Sequence, residues 1–266
     1  MSTTAGTPGS DTDRVDAVAG INPVAKLGAA LLIALPLVLT IDPVSAAVAL
    51  GLEAPLLAAS GLSWRGFWRR TWPVFVAAVA GALTIALYGA TSGEVHVQWL
   101  FVRISDGSLW LALSTLLRVL AIGLPAVVLF ATVDATDLAD GLAQRVRLPS
   151  RFVLGALAAL RMVEVLGDDR RQLALARRAR GVADAGRMRR VLGMVFALFV
   201  LAIRRGTKLA IAMEARGFGA PVPRTWARES PWGSREWTLL AAGLAIGLLA
   251  IAAAVGVGTW RFVLGT

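Results

Sequence analysis

The segment LWLALSTLLRVLAIGLPAVVLFAT, residues 109–132, contains one charged side chain, Arg118. A helix needs about 20 mostly apolar residues to cross the hydrocarbon core of a bilayer. Four further apolar segments occupy residues 24–41, 44–61, 72–90 and 238–258. The sequence therefore predicts an all-α polytopic membrane protein with about five transmembrane helices. The first two are short and are separated by a tight turn, and a long buried hairpin is the alternative for this pair.

The composition supports a membrane protein and excludes several kinds of site. Of the 266 residues, 57% are hydrophobic and only 17% are charged, whereas a soluble domain has about 25% charged residues. The chain has no Cys and a single His, His96, which excludes disulfides, Cys nucleophiles and thiolate or His-cluster metal sites. We expect no metal site, no catalytic residue and no cofactor bound by this chain.

The basic residues predict the orientation. Nineteen of the 27 Lys and Arg residues lie within 133–237, and Arg65, Arg69 and Arg70 follow the second apolar segment. Because short cytoplasmic loops are enriched in Lys and Arg, we expect the N-terminus inside the cell membrane and the C-terminus outside. The positive charge then lies at the inner membrane face, where anionic lipid or an acidic partner protein accounts for it better than nucleic acid does.

Four regions follow from this topology. They are a disordered cytoplasmic tail at 1–21, four transmembrane helices at 22–132, a cytoplasmic helical domain at 133–237, and the last transmembrane helix with the C-terminus at 238–266. The cytoplasmic domain is predicted to contain a short helix at 136–146, with Asp134 or Thr136 as its N-cap, and long helices at 150–180 and 187–216. The apolar stretch 191–203 is about 13 residues long, which suits a buried or interfacial helix better than a crossing.

Both long helices end on the same tripeptide, Ala179-Arg180-Gly181 and Ala215-Arg216-Gly217. One interpretation is ordinary helix termination, because cations favour the carbonyl end of a helix and Gly caps it. The other is a docking knob, in which small residues surround one guanidinium that binds carboxylates in a partner's groove. The repetition on consecutive helices favours the second interpretation.

At these motifs the sequence resembles the transmembrane T component of energy-coupling-factor (ECF) transporters, the group that includes the cobalt transporter's Q protein. The resemblance covers roughly residues 20–235. Further matching segments are Asn22-Pro23-Val24-Ala25-Lys26-Leu27, the basic stretch 64–73, Arg118, Ala131-Thr132, Asp137-Leu138 and Arg224-Thr225.

The resemblance implies a membrane bundle plus long cytoplasmic coupling helices that link ATP hydrolysis to import. It implies that Ala179, Arg180, Gly181, Ala215, Arg216 and Gly217 contact two cytoplasmic ABC-type ATPase subunits, which bind ATP and Mg²⁺. It also implies a separate membrane protein, the S component, that binds a vitamin or a transition-metal ion. The chain itself has no Gly-x-x-x-x-Gly-Lys-Ser/Thr loop, so it does not bind ATP by that route.

Two other functions remain open at the level of sequence. A charged residue within a span is a candidate site, so Arg118 and Glu53 could serve the pathway of a stand-alone permease, contact an S component, or pair with each other. The aspartates Asp134, Asp137 and Asp140, with Asp168-Asp169 further on, could hold Mg²⁺ and diphosphate in a membrane prenyltransferase. The more ordinary interpretation is that Asp at a helix start is a cap and that Asp168-Asp169 pair with arginines along the helix.

Overall fold

A computed structural model describes residues 20–59, 63–89, 92–99, 102–181, 186–220 and 225–260. The predicted tail at 1–21 therefore lies almost entirely outside the described residues. The helices within these ranges are α1 (Pro23–Leu39), α2 (Pro43–Ala59), α3 (Trp64–Tyr88), α4 (Asp106–Phe130), α5 (Ala135–Gln144), α6 (Ser150–Ala179), α7 (Arg187–Ala215) and α8 (Ser234–Val257).

The all-α prediction is confirmed, with one addition that the apolar pattern did not indicate. Strands β1 (Val95–Trp99) and β2 (Val102–Ser105) pair antiparallel between α3 and α4. The hairpin ends where Ser105 caps α4, because its hydroxyl accepts from the Ser108 amide and the Ser108 hydroxyl accepts from the Ser105 amide. This reciprocal cap starts α4 three residues earlier than the apolar segment begins.

Three of the described helices, α3, α4 and α8, are long and apolar enough to span a membrane. Helices α1 and α2 are apolar but have only 17 residues each, about 26 Å at 1.5 Å per residue. Both contain a proline, Pro36 and Pro55. The first two apolar helices are therefore short, as predicted, and they fall below the length of the three span candidates.

The described chain divides into two compact units. The bundle unit comprises the described residues of Met1–Leu138 and Pro231–Thr266, and the arm unit comprises those of Ala139–Ser230. The core of the bundle unit is formed by α1, α2, α4 and α8, and its fully buried residues include many alanines. The central cluster is Ile33, Leu37, Ala49, Ala121, Ile246 and Ala250. Small residues at these positions let helix backbones approach closely, as is typical of membrane bundles.

Helices α1 and α8 run parallel. At the starts of the two helices, the Asn22 backbone N–H donates to Glu236 Oε1 at 3.2 Å. About two turns further along both helices, Gly243 lies against the backbone of Ala29. The end of α4 reaches the same end of the bundle, because Lys26 Nζ donates to Thr132 Oγ1 at 2.8 Å. The chain thus leaves the bundle after α4 and re-enters it at α8 on one side. Helix α7 is not among the described helices that are long and apolar enough to span a membrane.

The arm unit contains most of α5 together with α6 and α7. Of the two predicted N-caps of helix α5, the structure shows Asp134, whose Oδ1 accepts from the Thr136 amide at 2.7 Å. Ala139 and Ala143 of α5 pack on Val153 of α6. The chain after α7 is held to the end of α5, since the Gln144 amide pairs with the Arg228 carbonyl and the Ser230 N–H, and the Arg145 guanidinium donates to the Ser230 carbonyl.

Candidate functional site

Helices α6 and α7 form an antiparallel pair. Near the end of α6, Arg177 Nη2 donates to the Gly193 carbonyl at 2.8 Å, and in mid-helix Arg205 Nη2 meets Asp169 Oδ1 at 2.9 Å. The start of α6 and the end of α7 together line a shallow groove. The two Ala-Arg-Gly ends therefore lie at opposite ends of the pair, separated by most of the length of α7, about 40 Å.

The two helix ends share one backbone conformation. Arg180 and Arg216 have φ values of −89° and −91°, and the following glycines have φ values of +68° and +77°. At the second end the Phe218 N–H donates to the Met213 carbonyl and the Gly217 N–H to the Glu214 carbonyl, which is a complete Schellman cap. Gly181 donates to Arg178 in the same way. Ordinary capping thus explains the glycines.

The remaining residues of the tripeptide are accessible to a partner. All six motif residues are exposed, and a Cβ at Gly181 or Gly217 would meet nothing within 4 Å. Neither Arg180 nor Arg216 has an acidic partner within 4.0 Å among the residues that the structure describes. The ends therefore present a free guanidinium beside open space, which is the geometry that the docking interpretation requires.

An ion pair that no sequence pattern indicated joins α6 to α7. Asp169 is buried, its Oδ1 binds Arg205, and its Oδ2 has no partner in the described part of the chain. Its neighbour Asp168 instead pairs with Arg171 on the same helix, at 3.7 Å and with both side chains exposed. The helical pattern of apolar residues does not indicate which of the two neighbours, Asp168 or Asp169, faces α7.

Glu53 and Arg118 do not pair, so that part of the sequence interpretation is wrong. Glu53 is 1% exposed and lines a cavity of about 550 Å³ between α1, α2, α4 and α8, where neither carboxyl oxygen has a partner among the described residues. Arg118 lies instead in an open groove between α3 and α4 beside Val74 and Gly123. Its Nε and Nη2 are buried and have no hydrogen-bond partner among the described residues.

The opening motif Asn22-Pro23-Val24-Ala25-Lys26 is a structural tie. Asn22 caps α1 by accepting from the Val24 amide at 3.0 Å, and its side-chain amide donates to the Pro231 carbonyl at 2.9 Å. Lys26 is completely buried and reaches Thr132 beyond the end of α4. The motif thus joins the start of α1 to the two points where the chain leaves and re-enters the bundle.

Comparison with known proteins gives a consistent family. The family model CbiQ, described as cobalt transport protein, matches residues 16–225. A protein of Limosilactobacillus fermentum named energy-coupling factor transporter transmembrane protein EcfT is 30% identical over 181 residues, covering 63% of this chain and 68% of that protein. The protein of the same name from Bacillus selenitireducens is 28% identical over 233 residues, covering 83% and 87%. The chain belongs to the CbiQ family and is a transmembrane T component of an energy-coupling-factor transporter.

Proposed function

We propose that this chain couples ATP hydrolysis by two cytoplasmic ATPase subunits to uptake of a substrate held by a separate S component in the membrane. The observation that carries the proposal is the pair of exposed Ala-Arg-Gly ends about 40 Å apart along α7. Two equivalent knobs at opposite ends of one helix pair suit two partner subunits better than one. On this proposal the chain is non-catalytic, and ATP and Mg²⁺ are bound by the partners.

The chemistry of each knob favours a groove lined by carboxylates. A guanidinium donates two parallel hydrogen bonds to a carboxylate in a fixed geometry. Ala179 and Ala215 flank the arginines with minimal bulk, and the positive φ of the glycines turns the chain away directly afterwards. Each end can therefore enter a narrow groove with its arginine leading.

The helix pair offers a mechanical link between the partners and the membrane. If each ATPase subunit holds one end, closure of the subunits on ATP changes the angle between α6 and α7 at the Asp169–Arg205 pair. We propose that this motion tilts the S component and releases a vitamin or a transition-metal ion into the cell. The substrate itself is selected by the S component.

The proposal is tested by purifying the tagged chain from its native host in mild detergent and identifying the proteins that accompany it. Two ATPase subunits and a small membrane protein are expected, and the reconstituted complex should import its substrate only with ATP. Recovery of the chain alone, under conditions that preserve known complexes of this kind, would contradict the proposal.

We also propose that the start of α1 faces the cytoplasm and the end of α8 faces outward. Since the chain has no Cys, single cysteines report the side directly. Glu94→Cys, next to the hairpin, should react with a membrane-impermeant maleimide in intact cells. Glu229→Cys, in the arm unit, should react only after the cells are permeabilised. The reverse labelling pattern would invert the topology.

A second candidate function rests on the Glu53 cavity, whose buried carboxyl has no described partner. In a stand-alone permease this group would bind the substrate or a proton, whereas in a T component Glu53 and Arg118 would serve at most as intramembrane or S-component contacts. Arg118 lines a groove between α3 and α4, and its Nε and Nη2 are buried without a partner among the described residues.

Glu53→Leu separates these functions. Removing a buried polar group without a partner is expected to raise stability by about 1–3 kcal/mol, measured as a higher melting temperature in detergent, and to leave ATP-dependent uptake unchanged. Glu164→Leu, at an exposed carboxylate of α6, should leave both unchanged. Loss of uptake by a Glu53→Leu protein that is folded and retains its ATPase subunits would instead support a transport pathway through the cavity.

A further inference from the structure

The first turns of α3 carry an exposed basic and aromatic face. Trp64, Trp68 and Trp72 are spaced four residues apart and are 72%, 40% and 56% exposed. Arg65 and Arg69 are also exposed, and neither has an acidic partner within 4.0 Å among the described residues. Two positive charges at the end of a membrane-spanning helix thus lack a counter-charge.

This face continues along the helix into the region that contacts hydrocarbon. With 3.6 residues per turn, Arg65, Arg69 and Trp72 lie within about 60° of Val76 and Leu83 around the helix axis. Val76 and Leu83 are both more than half exposed. One surface therefore presents guanidinium groups, then an indole, then aliphatic side chains, in the order in which a phospholipid presents phosphate, glycerol and acyl chain.

Contacts between aromatic side chains and a helix cap order the first turns of α3. Trp68 packs edge-on against Trp64 at 5.6 Å between ring centroids and lies 5.0 Å from Phe75. Ser63 caps the helix by accepting from the Gly66 amide at 3.3 Å. The backbone that carries both arginines is therefore ordered before any ligand binds, which lowers the entropic cost of binding.

We propose that Arg65, Arg69 and Trp72 form a binding site for the head group of an anionic phospholipid, whose acyl chain lies along Val76 and Leu83. Guanidinium groups bind phosphate through paired hydrogen bonds, and a site with two uncompensated positive charges favours a net negative head group over a zwitterionic one. The continuous aliphatic stripe argues for a lipid rather than for an acidic soluble protein. The site requires only that α3 spans the membrane; the cytoplasmic leaflet follows from the proposed orientation.

The same helix supplies a matched control. Arg70 adjoins Arg69 in sequence and is equally exposed, but lies about 100° or more around the axis from Arg65, Arg69, Trp72, Val76 and Leu83. Arg70→Gln therefore changes the charge near the site without changing the face itself.

The test is native mass spectrometry of the purified full-length chain, titrated with phosphatidylglycerol and with phosphatidylcholine. Wild type should prefer phosphatidylglycerol. Arg65→Gln with Arg69→Gln should weaken phosphatidylglycerol binding by about 25-fold, about fivefold for each basic residue. Arg70→Gln should change it less than about twofold, and Arg65→Lys with Arg69→Lys should retain most of the binding because the charge remains.

Two results would overturn the site. One is a wild-type chain that binds both lipids equally, which would leave the arginines to a protein partner. The other is a loss in Arg70→Gln as large as in the double glutamine variant, which would indicate a diffuse charge effect. Lysine variants that fold but bind no better than the glutamine variants would still support the site, with its affinity assigned to the paired hydrogen bonds of guanidinium rather than to charge alone. Since no ATPase subunit is present, none of these outcomes depends on the proposed coupling function.

Discussion

Reversing the charge of both helix ends, Arg180→Glu with Arg216→Glu, is expected to remove both ATPase subunits from the purified complex and to abolish ATP-dependent uptake. Truncating one partner of a desolvated, hydrogen-bonded charge pair costs about 2–5 kcal/mol, and a glutamate adds repulsion from the carboxylates of the groove. Each contact should therefore weaken by more than about 100-fold, which is enough to lose a subunit during purification.

The fold should survive this change. Both arginines are exposed, and neither has an acidic partner among the described residues, so their side chains contribute little to the arm unit. The caps depend on the backbone of Gly181 and Gly217 and remain in place. The double variant should consequently elute as a monodisperse membrane protein and keep the melting temperature of wild type to within a few degrees.

A matched control uses the same two helices and the same change in net charge. Arg161 on α6 and Arg204 on α7 are also exposed, but both lie away from the helix ends. Arg161→Glu with Arg204→Glu should retain both ATPase subunits. Equal loss in the two double variants would show that general electrostatic attraction, rather than docking of the ends, holds the complex. Full retention by the Arg180→Glu, Arg216→Glu variant would reduce both motifs to helix caps.

The single variants test whether the two ends serve different subunits. Because the ends lie at opposite ends of the antiparallel pair, either Arg180→Glu or Arg216→Glu alone should weaken one contact and leave the other. A single variant should therefore be purified with about half as much ATPase per chain as wild type.

The helix boundaries of the arm unit could be predicted from the sequence because their signals are local. Pro149 before α6 and Gly after Arg at the ends of α6 and α7 act within one turn, and the structure ends α6 at Ala179 and α7 at Ala215. The same holds for the short pair α1 and α2, since Asp42-Pro43 separates the two apolar segments. Signals within one turn of the chain are enough to place these boundaries.

The contacts between distant residues could not be predicted in this way. Whether Asp168 or Asp169 faces α7 depends on the angle at which α6 meets α7, and whether Glu53 reaches Arg118 depends on how α2 lies on α4. Glu53 lies in the cavity bordered by Pro125 and Val128, two turns or more beyond Arg118 along α4. Helix rotation in a bundle is fixed by packing of small residues, which an apolar pattern leaves undetermined.

The packing of α8 on α1 is tested by a single substitution, Gly243→Leu. A Cβ at position 243 would lie 2.9 Å from the Ala29 carbonyl oxygen and 3.2 Å from its Cα. These are backbone atoms, so the larger side chain can be accommodated only if the two helices separate. Overpacking of this kind costs about 3 kcal/mol, which should lower the melting temperature in detergent by about 10 °C. Gly256→Leu on the same helix, where a Cβ would meet nothing within 4 Å, should leave the melting temperature unchanged within about 2 °C.

If Gly243→Leu were as stable as Gly256→Leu, α1 and α8 would not be in contact at Gly243. The parallel arrangement that places the start and the return of the chain on one side of the membrane would then lose one of its supports.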